Sequence, residues 1–307
     1  MTSVSPAPAS PSPLTATALP APAPARRQGF GGLLLAEWTK IRSVRSTLWT
    51  LIIFAVVSLG LTALFTWLTL NALNNGRGDA RSSGIVTDPV GFILGTGLGL
   101  GQLAIAVLGV LVITSEYSSG AIRATLLAVP RRYPMFLAKG LVFAALVIVV
   151  GEIVAFASFF IGRSLVNGHT VTGHLHIAGH VVTVHRTITV SLSQPGVLRA
   201  VAGSGLYLTV LGLFALAIGA LIRHTAGAIT TVIGLVLVVL PLTSLLPYSW
   251  GAHIHAYAPT IAGQLITQDK LQQSGQLLTP WQGFGVFCAW TALLLIVAAY
   301  LLRRRDA

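Results

Sequence analysis

Six long apolar runs constrain the fold of this chain more than any other feature. They fall at roughly Thr47–Leu70, Gly91–Thr114, Lys139–Ile161, Val201–Ile222, Ala226–Leu246 and Trp281–Leu302. At 1.5 Å of rise per residue, a helix over each run crosses about 30 Å of hydrocarbon. A soluble domain of this length carries about 25% charged residues. Here only 8% of 307 residues are charged and 54% are hydrophobic, with a mean hydropathy of +0.82. The fold class expected is an all-α polytopic membrane protein with six transmembrane helices.

The formal net charge of +12 does not point to nucleic acid. Nucleic-acid binders gather Lys and Arg on one face of a soluble domain, whereas these residues flank the apolar runs, where charge orients a membrane protein. With the N-terminus inside, the outer segments hold Arg77, Arg81, Arg163, Arg186, Arg199 and Lys270, and the other 13 of the 19 Lys and Arg lie inside. The asymmetry predicts a multi-pass protein of the bacterial cell membrane with both termini cytoplasmic. Arg303, Arg304 and Arg305 form a strong inner anchor after the last run.

Residues 1–28 are rich in Pro and Ala and are expected to be a disordered cytoplasmic tail; residues 29–307 form the six-span domain. Before the first span, Leu34, Leu35, Trp38, Ile41 and Val44 recur at helical spacing, with Glu37, Lys40, Arg42 and Arg45 between them. That pattern predicts an amphipathic N-terminal helix lying along the membrane surface.

Several chemistries are not supported by the residues. No Gly-Lys pair exists, so the chain lacks a Walker A loop, and ATP-driven work needs another polypeptide. GTGLGLG, from Gly95 to Gly101, fails the dinucleotide-binding spacing and reads instead as two overlapping helix-packing pairs, Gly95/Gly99 and Gly97/Gly101. No nucleophile with a paired base is present, and the chain is not expected to be an enzyme. Cys288 is the single cysteine, which excludes a disulfide framework and a Cys-based metal site.

Two features leave a second reading open. Glu152 is the one acidic residue well inside a span, a place where a carboxylate is costly. It reads either as a polar site for a substrate, partner helix or proton, or as a packing residue. His169, His174, His176, His180 and His185 cluster in the second outer loop, where the alternation of VVTVHRTITVSL predicts a strand or hairpin. Their spacing matches no established metal site, and no metal is assigned. Together these features support an alternative, an ion- or metal-handling membrane protein.

The most charged stretch is SEYSSGAIRATLLAVPRRYPMFLAKG, Ser115 to Gly140. Ser118, Ser119 and Gly120 are expected to end the second span, and Ala121 to Val129 reads as a short helix with Ile122 and Leu126 on one side. Pro130 stops that helix, and Pro134 suits the first turn of the next. The pattern Glu116-x-x-x-Gly120-x-Ile122, followed by Leu126, Pro130-Arg131-Arg132 and Lys139, resembles the cytoplasmic loop of type-2 ATP-binding-cassette (ABC) exporter permeases. LLLAEWTKIRSVRSTLWTL, Leu33 to Leu51, is similar to the N-terminal helix and first span of bacterial members, particularly actinobacterial ones.

The resemblance implies a transmembrane permease subunit that exports a substrate with ATP hydrolysed by a separate ATPase, present in two copies. It also implies a second permease subunit, identical or different. The chain itself would carry no cofactor; ATP and Mg would sit on the ATPase. The short helix after Gly120 would be a coupling helix. Glu116 and Arg123 would make polar contacts with the ATPase, Ile122 and Leu126 would fill an apolar groove, and Pro130, Arg131 and Arg132 would close the element. Glu37, Trp38, Lys40 and Arg42 would belong to the N-terminal helix that accompanies it.

Overall fold

The computed structural model describes residues 29–75, 80–118, 132–177, 180–246, 248–270 and 276–305. Helix α1 (Phe30–Ser43) precedes α2 (Arg45–Asn74), a short α3 (Ala80–Thr87), α4 (Pro89–Ser118) and α5 (Arg132–Val166). An antiparallel hairpin follows, β1 (Thr170–Ile177) and β2 (His180–Thr187), with Thr170 opposite Thr187 and Ile177 opposite His180. Then come α6 (Val197–Ile222), α7 (Thr225–Gly234), α8 (Tyr248–Ala256), α9 (Pro259–Gln264) and α10 (Pro280–Arg305).

Six of these helical segments are long and apolar enough to cross a membrane. The protein is therefore a multi-pass, helical membrane protein, as its composition predicts, with the expected hairpin added between α5 and α6. The helices overrun the apolar runs: α5 begins at Arg132, one turn and more before Lys139. Residues 121–129, where the short coupling helix is expected, and the tail 1–28 lie outside the described residues.

The fifth span is a composite. After α7 the helix widens to a π turn at Leu235–Val239, runs through Leu240–Leu242, and tightens to a 3-10 turn at Thr243–Leu245. Pro241 has no N–H to offer the preceding turn, and beside it the Leu240 N–H reaches back to the Leu235 carbonyl, so the wider turn rehouses a backbone bond that proline disrupts. Between α6 and α7 the turn is as tight as the sequence suggests. Arg223 adopts φ +60° and donates its N–H to the Gly219 carbonyl at 2.9 Å, while His224 Nδ1 accepts from the Gly227 N–H at 3.1 Å. Both contacts satisfy backbone groups left open at helix ends.

On α2 the packing reverses the soluble pattern for most large residues. Large side chains such as Ile52, Ile53, Val56 and Trp67 of α2 face outward, while its inward stripe is Phe54, Ser58, Thr62 and Thr66. Lipid removes the hydrophobic reason to bury large residues between helices, so close backbone approach through small ones takes over. Gly97 and Gly101 of α4 receive that stripe: a Cβ there would lie 2.0 Å from Thr62 Oγ1 and from Ser58 Oγ, respectively. The central pair, α4 and α6, meets at Gly109, where a Cβ would lie 2.3 Å from the Gly212 carbonyl oxygen.

The α9 segment, which the apolar runs do not announce, is wedged between α6 and α10. Cβ atoms at Gly203 of α6 and Gly283 of α10 would lie 2.5 Å and 2.3 Å from the carbonyl oxygens of Ile266 and Ala262. At its end, Arg199 Nη2 donates to the carbonyls of Gln268, Asp269 and Lys270 at 2.9–3.1 Å.

Gly109→Val tests this packing. A side chain there meets backbone rather than a movable side chain, so the variant should lose at least the roughly 1–3 kcal/mol typical of overpacking. Thermal unfolding of the purified protein in nanodiscs reads the loss. Gly60→Ala, where a Cβ meets nothing within 4 Å, should leave the transition unchanged or raise it slightly.

Candidate functional site

One end of the bundle holds a buried cluster of opposite charges. Lys139, near the start of α5, has its ammonium 2.6 Å from Glu37 Oε2 of α1 and 2.6 Å from Glu116 Oε1 of α4. Lys40, one turn after Glu37 on α1, donates to the same Glu116 oxygen. Lys139 is 1% exposed, Glu116 3% and Glu37 6%. Two carboxylates and two ammoniums make the group neutral, which is what allows it to be buried.

The helices explain how residues so distant in sequence converge. On α1, Leu33, Glu37 and Ile41 are the buried positions, spaced four apart, while Leu35 and Trp38 are exposed. The expected amphipathic helix is present, but Glu37, expected among its polar residues, is one of the buried positions. Glu37 is turned inward, where Lys139 pairs with it, and Leu35 and Trp38 stay exposed. Arg42 is exposed, as expected of that helix.

The Glu116 carboxylate is enclosed and engaged by two lysines, Lys40 and Lys139. Its second oxygen, Oε2, is buried with no hydrogen-bond partner among the described residues. About 100 Å³ of open space adjoins the cluster, lined by Lys40, Ser115, Glu116 and Lys139 among others. That is room for a few waters at about 30 Å³ each, so the cluster has space in which to rearrange.

Lys139 belongs to the loop pattern, but the sequence gives it no site role of its own. It reads as a topological charge at the edge of an apolar run, yet it is the cation that joins three helices. The available signal is scarcity: of seven acidic residues in the chain, Glu37 lies ten residues before the first apolar run and Glu116 two residues after the second.

The same end carries a second tie. The Arg223 guanidinium, in the turn between α6 and α7, stands 5.2 Å from the centroid of the Tyr117 ring next to Glu116, a cation–π contact. Of the other expected site residues, Gly120, Ile122, Arg123, Leu126, Pro130 and Arg131 lie outside the described residues. Arg132 opens α5, and its backbone alone is described.

Glu152 belongs to a separate place. Thirteen residues beyond Lys139 on α5, it is about 20 Å further along the helix. There it lies over Gly205 of α6, where a Cβ would come within 2.5 Å of the Glu152 Cδ and Oε1. Its Oε2 is buried and has no hydrogen-bond partner among the described residues. Of the five histidines between α5 and α6, only His169 has a described side chain, and no group of three metal-ligating residues occurs among the described residues.

The cluster makes an ordered prediction for stability. Lys139→Met strands two buried carboxylates and should cost about 3–5 kcal/mol. Lys40→Met removes a half-exposed partner and should cost less than about 1 kcal/mol. Glu37→Gln/Glu116→Gln/Lys139→Met, which leaves no buried charge unpaired, should recover most of the loss. Thermal unfolding in nanodiscs ranks the three; a triple variant no better than Lys139→Met contradicts the ionic account.

The chain matches no protein-family profile and no curated protein, so its functional reading rests on its residues and their geometry.

Proposed function

We propose that this chain is the transmembrane permease subunit of an ABC exporter. It moves a substrate out of the cell with ATP hydrolysed by a separate ATPase. The observation that carries the reading is the ion cluster, because of where it stands. Glu116 lies near the start, and Lys139 near the end, of the segment Ser115 to Gly140 that resembles a coupling loop. Both ends of that segment are clamped to each other and to α1. A force applied to the segment reaches α1, α4 and α5 together rather than dissipating in a loose connection.

In this reading the complex contains two ATPase subunits and a second permease subunit, in the bacterial cell membrane with both termini cytoplasmic. Ile122 and Leu126 anchor in an apolar groove of the ATPase, and Arg123, Arg131 and Arg132 surround the contact. Glu116 acts through Lys139 and Lys40, holding the segment's root, instead of touching the ATPase itself. Nucleotide-driven closure of the ATPase pair then pulls on a braced element, and α4, the most enclosed span but one, transmits the motion to α6 through the Gly109–Gly212 contact.

Interfaces of this size depend on a few buried anchors. Affinity purification of the tagged full-length chain from its native membranes, with bound ATPase activity as the readout, tests the reading. Leu126→Asp places a charge in the apolar contact and should reduce the captured activity at least tenfold. Gly120→Val should retain capture while uncoupling hydrolysis from export. Wild-type preparations that carry no ATPase, or normal capture by Leu126→Asp, would overturn the assignment.

A further inference from the structure

The end of the bundle opposite the ion cluster contains a cavity of about 260 Å³, enclosed by α4, α6 and the α9 segment. Three observations suggest more than imperfect packing. The first concerns the glycines of α4. Gly97 and Gly101 are filled against α2, but Cβ atoms at Gly95 and Gly99 would meet nothing within 4 Å, and both residues line the cavity. The expected packing pair Gly95/Gly99 therefore packs against no helix among the described residues. Each glycine within a helix costs about 0.5–1 kcal/mol relative to alanine, and no close approach compensates for it here. What their absent side chains provide is space.

The second is a relay of uncharged polar groups on the wall. Tyr207 Oη donates to Gln102 Oε1 at 2.7 Å and accepts from Gln264 Nε2 at 3.2 Å, and Gln102 Nε2 donates to the Gly99 carbonyl at 2.7 Å. Gln102 and Tyr207 are more than nine-tenths buried. Gln264 keeps its carbonyl oxygen and one N–H uncommitted among the described residues, and it lines the same space.

The third is charge. No Lys or Arg lines the cavity; Asp88 is its one ionisable carboxylate. Nearby, burial first and Asp88 second push the Asp269 carboxyl above the usual carboxylate range, so negative charge is already disfavoured there.

We propose that this cavity is a binding site for an uncharged ligand, or ligand segment, bearing hydroxyl or amide groups. The free carboxamide edge of Gln264 pairs with donors and acceptors alike, the Gly95–Gly99 row lets a flat group lie against the α4 backbone, and Leu94, Leu98 and Leu208 cover its apolar parts. Anions are excluded because nothing in the cavity neutralises them. The site stands on its own geometry and does not require the chain to be an exporter subunit.

The test uses the full-length protein in nanodiscs. Cys288→Ala removes the native thiol, and Gly99→Cys then places one in the cavity, with Gly95→Cys as a second variant should the first fail to accumulate. Reaction rates with neutral hydroxyethyl, cationic trimethylammonioethyl and anionic sulfonatoethyl methanethiosulfonates are compared with those of an exposed Ser193→Cys control. The neutral reagent should be favoured over the anionic one at least tenfold after normalisation to the control. Trehalose or acetyl-triglycinamide should slow the neutral reaction at least threefold, the effective one separating a carbohydrate from a peptide ligand, and Gln264→Leu should abolish that protection. Equal reactivity with the anionic reagent, no reaction with any reagent, or no protection by either probe overturns the proposal.

Discussion

An ammonium group removed from water at the end of a membrane bundle dictates much of this architecture. Lys139 is almost wholly enclosed, and an unpaired charge in that position would cost several kcal/mol. It is tolerable only with Glu37 and Glu116 both in place, and those residues lie 102 and 23 positions away in the chain. One buried cation thereby fixes where α1 docks, where α4 ends and at what angle α5 begins. The tight α6–α7 turn is brought to the same end, with Arg223 over the ring beside Glu116. Three helices, α1, α4 and α5, are thus referred to one ionic group, and the α6–α7 turn to the ring beside it.

Elsewhere, the bundle is held by the absence of side chains. Gly97 and Gly101 admit α2, Gly109 and Gly212 admit α4 to α6, and Gly203 and Gly283 admit the α9 segment. Charge sets the geometry at one end, and close backbone approach propagates it through the middle. At the far end the same helix, α4, presents glycines that nothing fills, beside the Gln102–Tyr207–Gln264 relay. The contrast within a single glycine-rich stretch separates a packing role from an open cavity wall.

The sequence makes the spans legible because bilayer thickness imposes a length that local composition alone can meet. The hairpin is legible for a similar reason, since strand alternation is also local. The orientation of α1 is not. Its spacing places Glu37 among the polar residues of a surface-lying helix, and only the distant Lys139 shows that Glu37 faces inward. Likewise Gly95/Gly99 and Gly97/Gly101 are indistinguishable in sequence, and the position of α2 separates them. The short α8 and α9 carry no 20-residue apolar run, so the hydropathy that finds the spans passes over them. Glu152 is conspicuous in sequence, yet its setting over Gly205 emerges only when α5 and α6 are placed together.

The central claim is that the Lys139 cluster, rather than lipid contact, holds α1 against the bundle. The most direct measurement is the distance between spin labels at Trp38→Cys and Leu137→Cys, two exposed positions on α1 and α5, in a Cys288→Ala background in nanodiscs. The account predicts a single narrow distance distribution that broadens markedly when Lys139→Met is introduced. An equally narrow, unshifted distribution in the Lys139→Met protein would contradict it.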